Sequence, residues 1–202
     1  MKSPMLLNAS FFFFFVLLAT TLPSTRAKNA FDTDGNPIIS GQSYYIIPVN
    51  TNSGGGPTLS QTGDDTCPLT VVQDADTSST GLPARLTDYE AIYHVEEDAL
   101  TRIAFIGNGI SSCAPSAALW AQVGKYVKIV DTYSEIYYGF RFLRYSSSPY
   151  TYYMTACFDP MLNCSPVITN NGTLVVSNSG DPWVVKFKRA YKSSESDSWS
   201  IV

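Results

Sequence analysis

Three groups of residues are of types that carry out chemistry. Glu96, Glu97 and Asp98 form a run of acids, and two carboxylates can cleave a glycoside when one donates a proton and the other, at a set separation, acts as nucleophile or base. Neighbours on one loop provide no such separation by themselves, so the run reads as a solvated loop. His94 is the only histidine. It lies on an alternating segment with no serine or cysteine constellation to activate, and reads as a structural residue, not a general base. The four cysteines, Cys67, Cys113, Cys157 and Cys164, contain no C-x-x-C spacing, which together with the single histidine argues against zinc. No metal or other cofactor is expected.

The start of the chain gives the cysteines a different role. Met1-Lys2 is a short positive opening, Phe11 to Ala19 an apolar run, and Thr25-Arg26-Ala27 a small-x-small cleavage pattern, so residues 1–27 read as a signal peptide cut after Ala27. The apolar run is too short for a spanning helix, and no other stretch is long and apolar enough to cross a bilayer. Cysteines in an exported chain are best read as two disulfides. Three pairings are open. Cys157 and Cys164 are 7 residues apart and would close a small loop, leaving Cys67 and Cys113, 46 apart, for a large one.

Removing residues 1–27 takes away Lys2 and Arg26 and no acid, leaving 13 − 2 = 11 basic against 17 acidic residues, a balance of −6. An acidic chain without a basic run excludes nucleic acid and anionic membrane as expected partners. The remaining 202 − 27 = 175 residues suit one domain, 28–191. The serine-rich, acidic stretch 192–202 has no periodicity and reads as a flexible tail.

The elements that must position these residues are strands. Short runs rich in Val, Ile, Tyr and Phe recur between turn residues: Ser43 to Val49, Pro68 to Gln73, Thr101 to Ile106, Tyr126 to Val130, Gly139 to Tyr145, Tyr150 to Phe158, Leu174 to Ser177 and Trp183 to Lys188. Gly54-Gly55-Gly56-Pro57 breaks the chain after the first, and Asp74 to Gly81 is a polar loop. LTVV, YVKIV and WVVKF are alike, and their markers Val71, Val127 and Val185 lie 56 and 58 apart. That spacing predicts three repeats of four strands in a single closed, pseudo-threefold barrel, an all-β trefoil. A β-sandwich is the rival architecture.

Tyr137, Tyr138, Tyr150, Tyr152 and Tyr153 read as core caps and cross-strand pairs ahead of a sugar-binding or protein-binding face. Asn171-Gly172-Thr173 is an acceptor for N-linked glycan on an expected turn. Asn163-Cys164-Ser165 also fits the pattern, but a bridge at the cysteine would compete with it.

These motifs resemble the soybean-type Kunitz inhibitor family of plants over essentially the whole mature chain. Phe31-Asp32-Thr33-Asp34-Gly35-Asn36-Pro37 followed by Tyr44-Tyr45-Ile46 is similar to its opening signature, and Thr66 to Gln73, TCPLTVVQ, to its second hallmark. The resemblance implies a β-trefoil with bridges Cys67–Cys113 and Cys157–Cys164. It also implies a non-enzymatic serine protease inhibitor that presents an exposed loop as imitation substrate, and a secreted or vacuolar, monomeric protein. Counted without gaps from Cys67, the family's scissile bond falls at Ala91-Ile92, inside Leu82 to Val95; one gap moves the first-site residue to Glu90.

Tyr89, Glu90, Ala91, Ile92 and Tyr93 are therefore the expected protease-binding loop. Ala91 brings one methyl group where trypsin-directed members carry Arg or Lys, which implies a protease with a small primary pocket. Arg85 is basic but lies upstream of that bond. Ser40 stands where inhibitory members usually place an Asn that supports the loop, and its hydroxyl is shorter with fewer hydrogen-bonding positions. A storage or defence protein without inhibition is the alternative. So is a carbohydrate-acting member, since some members bear a fucosidase label.

Overall fold

The structure, a computed structural model, describes residues 28–62, 65–89, 93–107, 112–114, 116–132, 139–145, 148–157 and 163–190. The regular elements among them are twelve strands. In chain order these are β1 (Ser43–Pro48), β2 (Pro57–Thr62), β3 (Asp65–Gln73), β4 (Ala84–Asp88), β5 (Thr101–Phe105) and β6 (Ala118–Val123). They continue as β7 (Tyr126–Val130), β8 (Gly139–Arg144), β9 (Tyr152–Cys157), β10 (Cys164–Asn170), β11 (Thr173–Val176) and β12 (Val184–Arg189). Alternation makes them strands: β5 buries Thr101, Ile103 and Phe105 while Arg102 and Ala104 face outward.

The pairings close on themselves. β1 pairs with β4, β4 with β5, β5 with β8, β8 with β9, β9 with β12, and β12 returns to β1, all antiparallel. Six strands in a ring have no free edge, which is a barrel and not two stacked sheets. The other six form hairpins β2–β3, β6–β7 and β10–β11. Their inner strands meet in a triangle through Thr70↔Lys128, Tyr126↔Val175 and Thr173↔Val72. Three four-strand units around one axis make a β-trefoil.

The triangle corrects one detail of the repeat. The residues midway between its paired positions are Val71, Val127 and Leu174, all with no exposed surface. The third copy of the marker is thus Leu174 on β11, spaced 174 − 127 = 47 from the second. Val185 is equally buried but belongs to barrel strand β12. Cap and barrel strands each bury one apolar face, so composition does not separate them.

Aromatic rings fill the barrel. Trp120 stands edge-on to Phe105 and Phe140 at 5.1 and 6.0 Å, and Phe187 contacts Phe142 and Tyr152 at 4.7 and 5.8 Å. Tyr152 is wholly buried, and its hydroxyl accepts the Phe31 N–H at 2.7 Å. Tyr150 packs on Phe31 at 5.9 Å. Both tyrosines are thus structural, while Tyr137 and Tyr138 lie outside the described residues.

Disulfides join Cys67 to Cys113 and Cys157 to Cys164, with Cα separations of 5.4 and 4.1 Å. The second staples direct cross-strand partners of β9 and β10. The first closes the segment that contains β4, β5 and everything between them.

The Gly54-Gly55-Gly56 stretch is buried, and a Cβ on Gly56 would collide with the Thr80 carbonyl. The glycines therefore let the 74–81 loop lie directly on this segment as well as breaking the strand. Asn171 is exposed on the two-residue turn between β10 and β11; its φ of 49° and that of Gly172, 77°, are the left-handed pair such a turn requires.

Candidate functional site

Leu82 to Val95 is not loop throughout. Its first part is β4, paired residue by residue with β5 from Ala84↔Phe105 to Asp88↔Thr101. ARLTD buries only Ala84, Leu86 and Asp88 and exposes Arg85, a weak apolar signal for a strand. The β4–β5 ladder ends at Asp88, and from Tyr93 the backbone lies against the 38–40 segment instead. Glu90, Ala91 and Ile92 lie outside the described residues; the geometry on both sides of them is well defined.

Ser40 sits between the two ends. Its hydroxyl accepts the Asp88 N–H at 3.1 Å, and its own N–H donates to the Tyr93 carbonyl at 3.0 Å. The turn that carries Ser40 is itself anchored. Gly41 N–H reaches the Leu86 carbonyl at 2.7 Å, and Ile39 N–H donates to the Tyr44 hydroxyl at 2.9 Å. Tyr44 is fully buried, and burial pushes its phenol above the usual range.

Each end has further fixing. The Asp88 carboxylate, 6% exposed, accepts the Glu96 N–H at 3.2 Å and so ties the outgoing strand to the returning one. Tyr89 N–H donates to the Leu100 carbonyl at 3.1 Å, and the Arg102 guanidinium lies over the Tyr89 ring at 3.9 Å. On the returning side His94 bridges Ile39, and Val95 N–H donates to the Ile38 carbonyl at 2.8 Å. Tyr93 is 66% exposed, with its ring edge-on to His94 at 4.6 Å.

Asp88 and Arg102 were not singled out from the sequence. A signal for Arg102 exists: it pairs with Thr87 across β4 and β5, and Tyr89, two residues on, is its diagonal neighbour on the same face. Seeing it requires knowing that β4 is a strand.

The acidic run serves the scaffold. Glu97 accepts two N–H donors of Arg144 at 2.9 and 2.6 Å, and Asp98 pairs with Arg141 at 3.4 Å. The two carboxylates are thus committed to different arginines of β8 and do not converge on a common substrate. His94 is half-buried in a bridge and a ring contact. Among the described residues no group of three or more His, Cys, Asp or Glu is placed to hold a metal ion.

The described residues on either side of 90–92 are thus each fixed by hydrogen bonds to the 38–40 segment or to the strands beside it. Known proteins share the framework. The profile of the legume Kunitz family, described as trypsin and protease inhibitor, matches residues 30–189. A trypsin inhibitor of Leucaena leucocephala is 36% identical over 178 residues, covering 81% of this chain and 97% of that one.

Among solved structures, a chain from the complex of porcine pancreatic trypsin with soybean trypsin inhibitor superposes with a TM-score of 0.67. It is 26% identical, over 81% of this chain and 100% of that one. A rice (Oryza sativa) bifunctional alpha-amylase/subtilisin inhibitor gives 0.65 at 26% identity, over 82% and 100%.

Proposed function

The chain belongs to the legume Kunitz family of trypsin and protease inhibitors, and from that premise we propose that it inhibits a serine endopeptidase by offering residues 89–93 as imitation substrate. The observation that carries this reading is the double clamp of Ser40 on Asp88 and Tyr93. A segment already held at both ends gives up little entropy on docking. If it is cut, the clamp keeps both new ends in place, so the enzyme is retained and not supplied with product.

Ala91 is the first-site residue in this reading, with Glu90 before it and Ile92 after the scissile bond. One methyl group fits a small pocket and leaves trypsin's pocket carboxylate unpaired, so the target is a protease with a small primary pocket, of elastase or subtilisin type. The likeness to the rice bifunctional alpha-amylase/subtilisin inhibitor supports that direction. The protein acts as a secreted or vacuolar monomer, without catalysis or cofactor, and carries its glycan at the exposed Asn171.

Titration of the protein against trypsin, chymotrypsin, elastase and subtilisin tests the proposal. Stoichiometric inhibition of elastase or subtilisin, with trypsin little affected, is the expected result. No inhibition of any of the four, with release of sugar from a fucoside, would replace it with the carbohydrate-acting reading.

A further inference from the structure

Ala91 offers a protease one methyl group, worth about fourfold in affinity when fully buried, so a tight complex must draw its affinity from another side chain. Tyr93 is the most exposed large apolar side chain among the described residues, at 66% against 48% for Val49 and 41% for Tyr145. Its backbone is fixed, because its carbonyl accepts the Ser40 N–H at 3.0 Å. Its ring is propped edge-on by His94, with an interplanar angle of 86°, and His94 is in turn bridged to Ile39. Tyr89, at the other end of the segment, is placed differently: it is half-buried, with the Arg102 guanidinium over its ring.

From this asymmetry we propose that Tyr93 is the affinity anchor of the inhibitor. It enters an apolar recess on the leaving-group side of the protease, two residues beyond Ala91. An aromatic ring with two side-chain torsions, on a backbone already held, buries a large area at small entropic cost. The partner is accordingly a serine endopeptidase with a small primary pocket and an apolar recess past the scissile bond. This rests on the reading of residues 89–93 as the bound segment.

The test measures inhibition constants and dissociation rates for the wild-type protein, Tyr93→Ala and Tyr93→Phe against each protease of the panel, with melting curves to verify folding. Tyr93→Ala is expected to weaken inhibition about thirtyfold or more, mainly through faster dissociation, and Tyr93→Phe to regain most of that loss at unchanged melting temperature. Inhibition that survives Tyr93→Ala overturns this inference alone. A loss that Tyr93→Phe does not restore also overturns it, because the ring is then not what binds. If the wild-type protein inhibits none of the proteases, the reading beneath it falls and this inference with it.

Discussion

The Ser40 hydroxyl receives the backbone N–H of Asp88 at 3.1 Å across 48 residues of sequence. It ties the N-terminal segment to the last residue of β4 just before the candidate loop. Removing the hydroxyl deletes this bond, at a cost of about 1 kcal/mol, or about fivefold in binding. Ser40→Ala is expected to weaken inhibition by that factor and to speed cleavage of the loop by the target protease, while the melting temperature moves little. Chromatography of inhibitor incubated with protease reads the cleavage directly.

The two bridges contribute unequally. Cys67–Cys113 spans 46 residues and Cys157–Cys164 spans 7, so chain entropy assigns them about 4 and about 2.5 kcal/mol. Cys67→Ser with Cys113→Ser is expected to lower the denaturation midpoint further than Cys157→Ser with Cys164→Ser. The first pair should also make the 89–93 segment more sensitive to proteolysis, because that bridge encloses β4 and β5. Equal midpoints for the two double variants would contradict the assignment.

Two phenols are held above their usual range mainly by burial, those of Tyr44 and Tyr152. A folded pKa above the unfolded value of about 10 means that the folded state keeps its proton longer. The stabilisation is complete below that pH and is lost as pH rises through the raised folded values. Spectrophotometric titration should therefore show a tyrosine fraction that ionises only above pH ~10 and together with unfolding. Tyr44→Phe, which deletes the acceptor for Ile39 N–H, should reduce that fraction.

The Glu97–Arg144 pair provides a control. Glu97 and Arg144 form a partly buried pair at 2.6 Å. Glu97→Gln should lower stability by about 1 kcal/mol while the inhibition constant stays unchanged, since the pair braces the loop that follows the candidate segment and does not touch it. Loss of inhibition without loss of stability would show that Glu97 does more than support the fold.

Much of this was legible in the sequence. Eight strands announced themselves through runs such as YVKIV and GFRFLR, and both disulfides followed from the family resemblance. β2, β4, β6 and β10 were not legible. PTLSQT and CSPVITN carry few large apolar residues, ALWAQV reads as readily in other conformations, and the inward face of β4 ends in a carboxylate, Asp88. The same physics misplaced the third marker of the repeat on Val185 instead of Leu174, since both are buried apolar residues and only strand pairing separates them.

At the candidate site the placing of residues 89–93 as the loop comes from the family resemblance, counted from Cys67, and belongs to the proposal. Of the residues that hold its ends, Ser40 came from the resemblance, while Asp88 and Arg102 act through contacts between neighbouring strands that no local pattern encodes.

The measurement that tests the central claim most directly is inhibition of trypsin by Ala91→Arg. If residues 89–93 form a braced imitation substrate, the new guanidinium meets the pocket carboxylate, and the variant should inhibit trypsin stoichiometrically where the wild-type protein scarcely does. If trypsin instead cleaves the variant after Arg at position 91 and turns over freely, the segment is an ordinary substrate and the account is wrong.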